Sequence, residues 1–69
     1  MPTPDLAKRF TYVAPKPGQP EKYVTIRSAA LGFADIVDNL CPDSLEKSLA
    51  ITKIEEAVMW ANASIARNE

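Results

Sequence analysis

Tyr12, Lys22 and Arg27, with Thr25 and Ser28 flanking Arg27, are the side chains of this 69-residue chain best suited to holding a ligand. A tyrosine ring stacks on a nucleobase, an arginine grips phosphate through a fork of donors, and hydroxyls add hydrogen bonds. If the stretch RFTYVAPKPGQPEKY, residues 9 to 23, folds back along the chain, it brings an aromatic plane near two cations. The plainer reading of the same residues makes Phe10 and Tyr12 hydrophobic staples and leaves Arg27 solvated.

Bond-breaking chemistry is poorly supplied. The chain has no histidine, so Cys41 lacks an imidazole base and no ordinary triad can form. Glu55 and Glu56 are neighbours on a predicted helix and point about 100° apart, which suits neither a carboxylate dyad nor a metal clamp. Gly18 and Gly32 are the only glycines, too few for a phosphate-cradling loop. The expectation is a binding protein and not an enzyme, with no cofactor and no metal. A single cysteine excludes an internal disulfide and suits a reducing compartment.

The net charge of −1 conceals a polarity. Residues 1 to 27 hold five basic residues against two acidic ones, whereas residues 28 to 69 hold three against seven. A local basic patch on a slightly acidic chain favours a compact anion over long nucleic acid, which asks for a broadly basic face. The alternative is a solvated basic arm. No apolar run approaches the roughly 20 residues of a membrane span, and MPTPDLAKRF lacks the apolar centre of a signal peptide, so a soluble intracellular protein without membrane partners is expected.

Five of the six prolines lie in the first 20 residues, which predicts an extended arm over 1–20 rather than a helix or a central strand. Tyr23, Ile26, Ala30, Phe33, Val37 and Leu40 then recur at spacings of 3 and 4, predicting a first helix over 21–41 with one apolar seam. Gly32 inside it is costly and suggests close approach of a neighbouring helix. Pro42 stops the helix. Asp43 or Ser44 caps the next, with Glu46 three residues beyond Asp43 resembling a capping box. The second helix, 43–67, carries the seam Ile51, Ile54, Val58, Ala61 and Ile65, and the short connection makes the pair an antiparallel αα-hairpin.

The second helix has more apolar surface than one partner covers. Beyond its seam it carries Leu49, Ala57, Met59, Trp60, Ala63 and others, so in a chain this short other copies or a protein partner must cover the remainder. Met59 and Trp60 read as packing residues rather than ligand contacts.

The stretch CPDSLEKSLAITKIEEAVMWANASIARNE, preceded by FTYVAPKPGQPEKYVTIR, resembles the small phage anti-CBASS cyclic-oligonucleotide sponges, whose helical-hairpin domain also occurs in anti-Thoeris sponges. The resemblance runs from Phe10 to Glu69. It implies an all-α homo-hexamer in the cytoplasm of an infected bacterial host, sequestering cyclic di- and trinucleotides, such as cyclic GMP–AMP, without cleaving them. Carried over by position, Tyr12 is the base-stacking arm residue and Arg27 the phosphate-contacting base, where the family pattern has a lysine. Arg67 is the candidate for a separate trinucleotide site where protomers meet near the helix ends. The competing readings are a helical protein–protein interaction module, a sponge for cyclic ADP-ribose signals and a small nucleic-acid binder.

If excess apolar surface on the second helix is covered by other copies, replacing Trp60 by Glu should disrupt assembly or folding. Sedimentation of the parent and of Trp60→Glu checks this, and a well-folded parental monomer at low micromolar concentration would overturn it.

Overall fold

Proline lacks only an N–H, and the first turn of a helix has no intrahelical use for that group. The computed structural model, which describes residues 3–69 and residues 3–5 by backbone alone, accordingly opens with α1, Thr3–Phe10. Here the expectation of an extended arm over 1–20 is corrected: Pro4 sits in the first turn, where it is tolerated, and Lys8 and Arg9 occupy the last turn, where cations complement the helix dipole. Thr11 Oγ1 donates to the Ala7 carbonyl at 2.5 Å and caps the end. Residues 1 and 2 of the predicted arm lie outside the described residues. Residues 12–16 have no regular secondary structure.

α2 spans Gln19–Leu40 and α3 spans Leu45–Asn68, joined by a four-residue connection, and no strand occurs among the described residues. The two long helices pack side by side as an antiparallel hairpin. α2 begins at a turn: the Gln19 N–H donates to the Lys16 carbonyl at 3.0 Å, and Gly18 has φ 86° and ψ −19°. Pro followed by Gly with positive φ is the signature of a type II turn. At the other end Cys41 is extended, its N–H bonded to the Val37 carbonyl at 3.0 Å, and Pro42 follows.

Ser44 is the N-cap of α3, its hydroxyl accepting from the Lys47 N–H at 3.1 Å. The Asp43–Glu46 capping box therefore does not form, because the cap falls one residue later and places Lys47 where the box needs a glutamate. Lys47 instead bridges Asp43 at 3.0 Å and Asp38 at 3.1 Å, tying the end of α2 to the start of α3. These two carboxylates, Asp43 first, raise the Lys47 pKa.

The seam consists of Tyr23, Ile26, Ala30, Ala34 and Val37 against Ile51, Ile54, Val58, Ala61 and Ile65, all half-buried. Every predicted seam residue of α3 is present. On α2, however, Phe33 and Leu40 are exposed, and Ala34 takes the place expected of Phe33. A straight helix of 3.6 residues per turn drifts from a strict heptad by about 20° each repeat, so the contacting row slips by one position. No hydrophobic side chain among the described residues is fully buried.

The accessible surface of 5390 Å² exceeds the roughly 4,300 Å² expected of a compact chain of this mass. Its extents of 45 × 31 × 12 Å and radius of gyration of 15.3 Å, against about 11 Å for a compact 69-residue domain, describe a slab one helix thick.

A Cβ built at Gly32 meets nothing within 4 Å, so close packing inside the hairpin does not explain this glycine. Alanine is expected to act with opposite signs at the two glycines. Gly18→Ala forces a left-handed conformation and should cost about 1–2 kcal/mol, whereas Gly32→Ala should add roughly 0.5–1 kcal/mol. Chemical denaturation of both variants checks the pair, and a loss at Gly32 would locate a close neighbour from another chain.

Candidate functional site

The candidate ligand residues are distributed around the slab. Arg27 is exposed at the edge of an open groove of about 480 Å³, between Ala30, Leu31 and Ala34 of α2 and Ile51, Glu55 and Met59 of α3. No side-chain hydrogen bond or ion pair engages its guanidinium among the described residues, which leaves the donor fork available to solvent or an anion. Lys22 and Thr25 line a smaller groove with Glu21, Ile26 and Ile65. Five helical residues place Arg27 about 140° around the axis from Lys22, so the two cations flank opposite sides of the seam.

Tyr12 lies in the segment after α1 and is 82% exposed. It lines none of these grooves. The staple reading of Phe10 and Tyr12 does not hold within this chain, since Phe10 is equally exposed at 83%. The Thr25 hydroxyl donates to the Glu21 carbonyl at 2.9 Å, which fixes its rotamer one turn back along α2. Ser28 is exposed. Arg67 is exposed in the last turn of α3, well placed against the helix dipole. Within the chain, therefore, Lys22 and Thr25 share a groove, and Arg27, Tyr12 and Arg67 each stand apart.

A larger groove, about 580 Å³, lies on the face opposite Arg27 and is almost wholly apolar, with Ile26, Ala29 and Phe33 facing Ala50, Ala57 and Ala61. Lys53 stands at its side and pairs with Glu56 at 3.7 Å. This groove offers packing surface rather than groups that fix a polar ligand.

A polar cluster that the sequence did not disclose gathers where α2 begins and α3 ends. Glu69 accepts from Lys22 Nζ at 2.5 Å and from Gln19 Nε2 at 3.2 Å, and its main-chain carbonyl accepts from Lys16 Nζ. The Lys8 ammonium donates to Asn68 Oδ1 at 2.8 Å, holding α1 to the same end. The Lys22 hydrogen bond, followed by that of Gln19, lowers the Glu69 pKa. One signal lay in the sequence, the KPGQ turn, but its partner 50 residues away could not be inferred. No group of residues suited to a metal occurs among the described residues, and no described helix is long and apolar enough to cross a membrane.

Because the folded-state pKa of Glu69 is lowered, the stabilisation it contributes is present above the ordinary carboxylate range and is lost as pH falls through the lowered value. Lys22→Ala should raise the Glu69 pKa towards its ordinary value, read by side-chain carboxyl NMR titration. An unchanged titration would remove Lys22 as the principal cause.

Residues 3–66 match the family model described as Acb2/Tad1, hairpin domain. No curated protein and no solved structure matches the chain.

Proposed function

Because the chain belongs to the Acb2/Tad1 hairpin-domain family, we propose that it is a sponge, a protein that binds cyclic oligonucleotide signals and holds them without cleaving them. The observation that carries this reading is the family match over residues 3–66, nearly the whole hairpin and its N-terminal segment. The ligands are cyclic di- and trinucleotides such as cyclic GMP–AMP, withheld from the effectors of CBASS defence in the cytoplasm of an infected bacterium.

The geometry supports a site shared between copies. Tyr12 and Arg27 share no groove within the protomer, and the apolar faces exposed on both sides of the slab favour assembly, with the homo-hexamer as its form. A cyclic dinucleotide carries two bases and two phosphates, so a pocket on a two-fold axis supplies one Tyr12 and one Arg27 to each half of it. Lys22, Thr25 and Ser28 contribute at its margin, and Arg67 serves a second site for trinucleotides near the helix ends. The stiff Pro15–Pro17 stretch lowers the entropy lost when the segment closes over a ligand.

The extensive apolar surface is also what a protein–protein interaction module would show. Native mass spectrometry with cyclic dinucleotides, cyclic trinucleotides and cyclic ADP-ribose isomers separates the readings: a docking module retains none of them. A sponge retains at least one, which is recovered unchanged after denaturation; recovery of a hydrolysed product would overturn sequestration.

Two copies of each substitution act on each ligand, so Tyr12→Ala should weaken cyclic dinucleotide binding by roughly two to four powers of ten, at about 1–3 kcal/mol per stacked base. Arg27→Ala should be comparably damaging, and Tyr12→Phe should retain much of the affinity. Calorimetry on the assembled variants decides the site. Parental affinity in both alanine variants would show that it lies elsewhere.

A further inference from the structure

Glutamine is ordinarily a surface residue, yet Gln19 is 2% exposed and is the one buried residue among those whose side chains are described. Both ends of its amide are used. Oε1 accepts from the Lys16 backbone N–H at 2.9 Å, and Nε2 donates to Glu69 Oε1 at 3.2 Å. The Gln19 backbone N–H in turn donates to the Lys16 carbonyl at 3.0 Å. Lys16 is thus held through both of its main-chain groups by one residue, and that residue is held by the end of α3.

This grip sets a direction. Lys16 lies between Pro15 and Pro17, and the residues preceding prolines, Ala14 and Lys16, are restricted to extended conformations. Tyr12 therefore sits on a short, stiff lever four residues from a point fixed in two ways. A side chain in this place needs one acceptor for the Lys16 N–H and one donor for the Glu69 carboxylate. Only an amide supplies both at this reach.

We propose that Gln19 is a positioning residue that, through Lys16 and Glu69, aims the segment carrying Tyr12 at the ligand. The role of Tyr12 in binding rests on the sponge reading; the holding of the segment rests on the hydrogen bonds alone.

A reciprocal exchange tests it. Gln19→Glu sets two carboxylates against each other, whereas combining it with Glu69→Gln preserves each bond and reverses donor and acceptor only between positions 19 and 69: the carboxylate at position 19 accepts from Lys16 and from the new amide at position 69, whose oxygen still accepts from Lys22. Exchange of the Lys16 amide hydrogen in the full, ligand-free chain should accelerate about tenfold in Gln19→Glu and return to within about threefold of the parent in the double variant, a tenfold change being the scale of one lost hydrogen bond. Affinity for cyclic GMP–AMP should fall about tenfold and recover in parallel, with helix content by circular dichroism unchanged. If Gln19→Glu does not fold, Gln19→Met, which keeps the length and removes the amide, is read in the same way.

Parental exchange in the single variant, or no recovery in the double, overturns the positioning. Accelerated exchange with unchanged affinity, in a protein where Tyr12→Ala does weaken binding, overturns its link to the ligand. The exchange cycle stands whether or not cyclic GMP–AMP binds, so failure of the sponge reading is seen separately as absence of binding by the parent.

Discussion

Two helices lying side by side have a seam but no interior. Each of the long helices here can bury one stripe against the other, and the stripe is filled largely by Ile, Val and Ala, leaving even those side chains half-buried. Most of the other apolar side chains described, Phe33, Met59 and Trp60 among them, are exposed on a slab whose shortest extent is 12 Å. Hydrophobic stabilisation scales with area removed from water, so an isolated protomer is poorly stabilised for its length. The proposed assembly answers this constraint directly. Stacking slabs through Phe33, Met59 and Trp60 would turn surface into core, and a ligand pocket at such a boundary would form only when the protomers meet.

The ends of the hairpin are secured by polar contacts instead. At one end Lys47 reaches Asp38 and Asp43; at the other Glu69 gathers Lys16, Gln19 and Lys22. Exposed ion pairs of this kind contribute little energy singly. Their value here is geometric, since they fix where the chain enters and leaves the hairpin while the seam fixes the rest. The glycine turn before α2 and the serine cap before α3 do the same through the backbone. A chain with so little core depends more than usual on such local stops, because a slip by one residue in either helix costs few buried contacts.

The candidate residues come from residue type, and the structure supplies their places. Tyr12 stands out as an aromatic beside the proline-rich run and Arg27 as a forked cation on the following helix, and both are exposed. Lys22 is one of the two cations that the sequence sets near the tyrosine, and in the structure its ammonium is bonded to Glu69. Gln19 went unnoticed. Its importance comes from burial by the end of α3, and no composition or periodicity in residues 9 to 23 encodes a partner 50 positions away.

By itself the sequence determined what depends on neighbours along the chain: two long helices from apolar recurrence, the stop at Pro42 and the all-α class. It misjudged α1 because proline was weighed as a helix breaker without regard to its position in the first turn, where its missing N–H is harmless. Only the tertiary structure decided that Ala34 rather than Phe33 enters the seam, that Lys22 and Arg27 flank opposite sides of it, and that a buried glutamine ties the start of α2 to the residue that follows α3. The division is physical. Local propensity and capping act within about one helical turn, whereas helix register, groove position and the pairing of distant polar groups are set by how two particular surfaces come to rest against each other.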